Sequence, residues 1–285
     1  MRARQRAATI GDTMTTAYAL RRTPEEYERL RAQARVWEAA TGRLLDRVGL
    51  AQGARCLDAG CGPGETMRLM AQRVGPTGHV LGVDVDAGLG AQALAMLHDA
   101  GHHHCDFAAT DLTTDEPLPG GGFDLVYARL LLYHLPERVD VLRRLWDAVA
   151  PGGHLLIQDY DLDSVSVLPP LDSVAEFRRV AVAAFECAGC DVHVGRRLPQ
   201  LFDHAGIGGP DGTDVAGLLE PLSSAQRMIT AVHTSLLDTA LRHGLTTPER
   251  SAAWTAEFAG DVERHPDAPT LWPLLIGAWK RKPAT

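Results

Sequence analysis

From residue 54 onward, short apolar runs alternate with amphipathic stretches of helix length. Runs at 54–58, 79–84, 103–110, 123–128 and 154–159 read as strands. Stretches at 65–74 and 89–100 read as helices, and so does the one marked by Val139, Leu142, Leu145, Trp146 and Val149. The last is closed by Pro151-Gly152-Gly153. This alternation predicts βαβ units, a mainly parallel sheet and right-handed crossovers. Upstream, Thr23 suits a helix cap, Pro24 the first helical position and Glu26 the capping-box partner. Tyr27, Leu30, Ala34, Trp37, Leu44, Leu45 and Val48 follow at helical spacing, as one helix or as two broken near Gly42.

After Asp159 the rhythm changes. Residues 160–171 read as loop, 173–187 and 197–204 as helices, and 214–219 as a strand. Two longer helices are expected at 223–242 and 248–264. The segment 271–279 reads as a last strand despite Pro273. The strands near 214 and 275 are expected to pair antiparallel at the sheet edge, with the helices between them as an insertion. The expected organisation is an arm at 1–22, a helical cap at 23–50, a core at 51–221, a helical insertion at 222–266 and a final strand and tail at 267–285.

The chain has 285 residues, enough for two units of ordinary size or one large α/β domain with an insertion. Apolar residues make up 45% and charged residues 22%, which supplies a full core and argues against wholesale disorder. Lys+Arg 28 against Asp+Glu 36 gives a net charge of −8, which weighs against a nucleic-acid backbone as partner. No apolar run is long enough for a membrane span, and the first residues carry no apolar signal core. Five cysteines in a chain of this length fit a reduced, cytoplasmic setting better than a disulfide framework.

The informative segment is Leu57-Asp58-Ala59-Gly60-Cys61-Gly62-Pro63-Gly64-Glu65, which leaves a strand and opens a helix. Glycines there let the backbone turn sharply and approach a ligand, and the helix start adds donors and partial positive charge. The next strand closes on Asp84, placed to accept from ribose hydroxyls. Dinucleotide sites usually read Gly-x-Gly-x-x-Gly, whereas here the spacing is Gly60-x-Gly62-x-Gly64 behind an acid. A carboxylate beside the turn repels a pyrophosphate. It suits a ligand that carries an ammonium, as the methionine part of S-adenosylmethionine does.

With Gly82-Val83-Asp84, Thr110-Asp111-Leu112, Phe123-Asp124-Leu125-Val126 and Val149-Ala150-Pro151-Gly152-Gly153, the chain resembles the class I S-adenosylmethionine-dependent methyltransferases over about residues 23–160. The resemblance implies a doubly wound, mainly parallel, seven-stranded Rossmann-like α/β sheet with helical N-terminal and C-terminal cap elements, and S-adenosylmethionine as cofactor. It implies that Asp58, Gly60 and Gly62 line the methionine part, that Asp84 holds the ribose and that Val85 packs on the adenine. Asp111 would meet the adenine amino group, with Leu112 offering its amide, and Arg129 would lie near the sulfonium side. Tyr27-x-Arg29-Leu30-x-x-Gln33 resembles a helix that bacterial relatives fold over the cofactor, which makes Gln33 a candidate contact.

Methyl transfer from a sulfonium is an in-line displacement, so an enzyme chiefly orients the reactants and excludes water. A base is needed only when the nucleophile arrives protonated. Tyr133 and His134, just past the fourth strand, are the catalytic candidates, His134 as a base. Asp159, Tyr160 and Asp161 leave the fifth strand at the edge where open α/β sheets bind ligands. His102-His103-His104-Cys105 and Cys187-x-x-Cys190-x-x-His193 look like metal bait. Consecutive strand residues diverge, however, and the second motif is a single half-site, so no metal is expected.

The expectation is an enzyme that methylates a small, natural-product-like acceptor, at oxygen, with the helical insertion as lid or subunit interface and a homodimer left open. N- or C-methylation, a nucleotide-dependent oxidoreductase and a non-catalytic cofactor-binding relative are the competing readings.

Overall fold

The computed structural model describes residues 24–284, with side chains from Tyr27 onward. The arm at 1–22 and the capping role of Thr23 lie outside the described residues. Two compact units emerge: residues 27–161, 193–216 and 274–284 form one, and residues 162–192 and 217–273 the other.

The first unit carries helices α1 (Pro24–Val36) and α2 (Glu38–Arg47), then β1 (Arg55–Ala59), α3 (Glu65–Val74), β2 (His79–Asp84), α4 (Ala87–Asp99), β3 (Cys105–Ala109) and β4 (Phe123–Arg129). A 3₁₀ turn (Leu132–His134), α5 (Arg138–Ala148) and β5 (Val149–Asp161) follow, then α7 (Val194–His204), β7 (Gly212–Ala216) and β10 (Leu274–Arg281). The seven strands lie in the order β3-β2-β1-β4-β5-β10-β7, parallel except that β10 runs antiparallel to both neighbours. The expected antiparallel edge pair is therefore present. Strands such as β1 are buried on both faces, as a sheet with helices on either side requires. Leu44, Leu45, Met67, Met70 and Leu97 from the flanking helices pack with Cys56, Val80, Leu125, Tyr127 and Leu156 of the sheet. Burial of this apolar surface at about 25 cal/mol per Å² is what holds the layers together.

Several boundaries differ from expectation. The N-terminal helices part at Trp37, whereas Gly42 lies inside α2, where a Cβ would come within 3.0 Å of the Arg73 guanidinium. Glycine there makes room for a neighbour and does not break the helix. The last strand is interrupted at Trp272-Pro273, giving β9 (Pro269–Leu271) before β10, because proline cannot donate to a ladder. The run expected at 214–219 is likewise divided between β7 and β8 (Leu219–Pro221).

The second unit holds β6 (Ser166–Val167), α6 (Asp172–Cys187), α8 (Leu222–Arg242) and α9 (Pro248–Arg264), with β6, β9 and β8 paired antiparallel. Residues 162–192 thus group with the helices expected at 222–266. Trp254 is its anchor, stacked against His233 at 4.0 Å and Phe258 at 5.1 Å, with Nε1 donating to the Ser173 carbonyl at 2.8 Å. Thr247 caps α9 by accepting from the Arg250 amide, with Pro248 in the position where a missing N–H costs nothing.

Candidate functional site

Strand alternation sets the site's two layers. Asp58 pairs with Tyr127, and Arg129 with Gln158, so Asp58, Tyr127, Arg129, Gln158 and Tyr160 share one face while Asp159 and Asp161 point to the other. The first face is polar at the C-terminal strand ends and is closed by α1 and α2. Tyr127 and Thr41 hydroxyls donate to Gln158 Oε1 at 2.7 and 2.9 Å. Arg129 donates to Thr41 Oγ1 at 3.0 Å. Trp37 Nε1 and Gln33 Nε2 both donate to the Tyr160 hydroxyl, at 2.7 and 2.9 Å. Arg29, buried, donates to Gln33 Oε1 at 2.6 Å.

At its other end α1 is fixed by Tyr27, whose hydroxyl donates to Asp86 Oδ2 at 2.7 Å, two residues past β2. In the sheet order β1 and β4 lie between β2 and β5. Three strand spacings are about 14 Å, and ten helical residues about 15 Å. Helix α1 therefore has the length to cross the exits of β1 and β4. Ten residues on from Tyr27, Trp37 meets Tyr160 of β5, and Gln33 reaches the same hydroxyl from one turn earlier, with both ends of its amide engaged.

The glycine loop fills the gap beneath. Gly60 adopts φ +69° and Gly62 φ +49°, values that L side chains rarely take. A Cβ on Gly60 would sit 2.8 Å from Leu131 Cδ1, so glycine admits the segment that follows β4. At Gly62 a Cβ would meet nothing within 4 Å, which leaves room for a ligand. Half-buried Asp84 accepts from the Gly62 amide at 2.9 Å and from the Asp86 amide at 2.9 Å. Val85 stands 41% exposed beside it, an apolar surface at the strand exit. Asp111 accepts from the Thr113 amide and hydroxyl at 2.9 and 2.7 Å. The Leu112 carbonyl is taken by Arg144 at 2.6 Å.

Asp58 is 2% exposed, and its Oδ2 has no hydrogen-bond partner. Burial pushes its carboxyl up to about 7; the Arg129 cation opposes this, Asp84 adds to it, and the Met67 amide, which donates to Asp58, opposes it. An unsatisfied buried acceptor is costly, and a nearby cationic ligand offsets that cost through the field even where the atom itself is covered. This orphan oxygen, the open space at Gly62 and the Asp84 carboxylate together fit an ammonium-bearing nucleoside.

Past β4, Leu130 takes φ +54° and the chain enters the 3₁₀ turn that carries Tyr133 and His134. Their rings lie 3.7 Å apart. Tyr133 is buried and His134 half-buried. Burial and the Arg29 cation push the His134 imidazole down to about 3, so it stays neutral at physiological pH. A base this weak takes a proton from a hydroxyl poorly.

Asp159 is fully buried and turned to the backbone, while Asp161 accepts from Arg196 at 3.0 Å and lies 2.9 Å from His193 Nδ1. Sequence reasoning missed the Trp37–Tyr160 and Tyr27–Asp86 contacts. The aromatic members of the α1 stripe read as apolar, although tyrosine and tryptophan carry polar tips that seek partners when buried. His104 Nε2 lies 3.2 Å from the Ala71 carbonyl, Cys187 is exposed and Cys190 buried. Among the described residues no three metal-ligating side chains gather.

A family model described as a methyltransferase domain matches residues 27–207. The chain belongs to this methyltransferase family. It is an S-adenosylmethionine-dependent enzyme of the class I fold. The methyltransferase is 32% identical over 203 residues to trans-aconitate 2-methyltransferase of Methylobacterium nodulans, covering 64% of this chain and 76% of that one. It is 32% identical over 189 residues to methyltransferase str3 of Strobilurus tenacellus, covering 66% of this chain but only 65% of the relative. A solved Bacillus halodurans structure described as a methyltransferase shares the fold, with a TM-score of 0.59 at 15% identity over 86% of this chain and 99% of that one. No helix among the described residues is long and apolar enough to cross a membrane.

Proposed function

We propose that the methyltransferase acts on a small, natural-product-like organic acid, and that the accepting atom is a carboxylate oxygen. The carrying observation is the neutral His134 beside the buried Arg29 cation. An alcohol or phenol must lose a proton as it attacks, and a group held near 3 is a poor recipient. A carboxylate arrives without that proton, and Arg29 and Arg129 supply the positive field that draws it in. The relative named for methyl transfer to trans-aconitate supports the same acceptor class.

S-adenosylmethionine, when bound, supplies an activated methyl group. In this reading Gly60, Gly62 and the field of Asp58 receive its amino-acid part, Asp84 its ribose hydroxyls and Val85 the adenine face. Asp111 and the Leu112 amide meet the adenine edge. Arg129 balances Asp58 on the sulfonium side. Gln33 acts through Tyr160 to hold α1 in place, while Tyr133 and His134 wall and orient the acceptor.

The test is methyl transfer from labelled S-adenosylmethionine to a panel of small carboxylic acids and phenols. A methyl ester, releasing labelled methanol in mild alkali, is the expected product. With S-adenosylmethionine saturating at every pH, the specificity constant for the acceptor should be flat above about pH 6, because free carboxyls titrate near 4. An alkali-stable product, or a rate that climbs steadily with pH, overturns the reading in favour of a hydroxyl, nitrogen or carbon acceptor.

A further inference from the structure

We infer that Asp159 is a positioning residue of the reaction, fixing from below the backbone that carries Tyr133 and His134 without itself meeting substrate. The inference rests on the reading of that segment as the acceptor wall.

Two amides at the start of a helical turn have no partner within the turn. At this strand exit both residues are buried, Leu132 fully, so the amides are shielded from bulk solvent. Asp159 answers both: Oδ2 accepts from the Tyr133 amide at 3.2 Å, and the Leu132 amide also donates to the carboxylate. Oδ1 accepts from the Tyr160 amide at 3.0 Å, which fixes the carboxylate plane relative to its own strand. Three N–H donors converge on one side chain that is 0% exposed. An asparagine offers one acceptor oxygen, and its NH₂ would face an N–H, so only a carboxylate satisfies all three.

The same peptide is held from its other side. Arg138 Nε donates to the Leu132 carbonyl at 3.3 Å, and Arg138 is the cation that faces the Asp159 carboxylate. Before it, Leu130 is held in a left-handed conformation by its amide, which donates to the Gln158 carbonyl at 2.9 Å. Leu131 then closes over Gly60. The segment 130–134 therefore touches the cofactor loop at one end and carries the acceptor wall at the other, with Asp159 as its anchor between the two. A misplacement of about 1 Å between reacting groups costs on the order of a hundredfold in rate.

The experiment compares Asp159→Asn with His134→Ala and Tyr133→Phe, measuring kcat, acceptor KM, S-adenosylmethionine affinity by calorimetry and thermal unfolding. Asp159→Asn is expected to lower kcat about 10- to 100-fold while cofactor affinity stays within about twofold. Unchanged kcat and acceptor KM overturn the inference, and so does a loss of cofactor affinity as large as the loss in kcat. If Asp159→Asn does not fold, Arg138→Met decides. It frees the same peptide from the other side, and it should give the same split at smaller size; an inert Arg138→Met counts against the anchor. Should His134→Ala and Tyr133→Phe both be silent, the acceptor-wall reading fails instead, whatever Asp159→Asn does.

Discussion

Near their exits β1 and β5 carry the buried aspartates Asp58 and Asp159, and the two are built in opposite ways. Asp58 and Asp159 are 2% and 0% exposed, and burial pushes both carboxyls up to about 7. They lie on opposite faces of the sheet. Asp159 is surrounded by backbone amides, so its charge is spent inside the protein, on the shape of the next segment. Asp58 keeps an oxygen with no donor, so its charge is unspent. A buried carboxylate is thus scaffold or ligand field according to whether the protein completes its hydrogen bonds, and similar burial does not tell the two apart.

The strongest way to break this comparison is to remove each carboxylate in turn. Asp159→Ala strands three amides at roughly 1–3 kcal/mol each, so a loss of about 3 kcal/mol or more is expected in chemical denaturation. A loss under about 1 kcal/mol would show that water or a shifted backbone satisfies them. Next in size is Asp84→Ala, which removes the proposed ribose acceptor and the brace on the Gly62 amide; calorimetry should find S-adenosylmethionine bound roughly tenfold or more weakly. Unchanged affinity would place the ribose elsewhere.

The smallest effect sharpens the contrast most. Asp58→Asn should weaken cofactor binding several-fold yet leave the unfolding midpoint level or higher, because it deletes a buried charge that the apo fold does not satisfy. A drop like that of Asp159→Ala would erase the distinction. The pH dependence follows from the same group. Its folded value of about 7 exceeds the ordinary carboxylate value, so between about 4 and 7 the folded state holds the extra proton, and its contribution to stability falls as pH rises. An ammonium ligand prefers the ionised form. Cofactor affinity should therefore rise with pH through about 7, with proton release, until the ligand's own amine titrates near 8. Asp58→Asn should lose that rise.

Much of this was legible beforehand where local chemistry and fold agree. The glycine loop, Asp58 and Asp84 sit within one βαβ unit, and their spacing carried both the turn and the charge argument. Legibility failed where a residue's state depends on a distant partner. His134 could be named from its place after β4, but its neutrality comes from burial and from Arg29, over a hundred residues earlier. Asp159 read as a polar strand exit because nothing in sequence reveals that the Tyr133 amide needs it. Trp37 read as a core residue within a helical stripe, although its indole N–H reaches Tyr160 and the helix parts at its backbone. The split at Pro273 was missed because the apolar run reads straight through it.

The place of β10 bears on how the protein is made. It inserts between β5 and β7, yet is synthesised about sixty residues after β7 ends. At 5–20 residues per second, roughly 3 to 12 seconds pass during translation in which β7 has no neighbour in that sheet and β5 shows an open edge. Bare edges of this kind recruit other strands. Until β10 is made, β5 is therefore the exposed edge of the sheet, and β7 has no strand there to pair with.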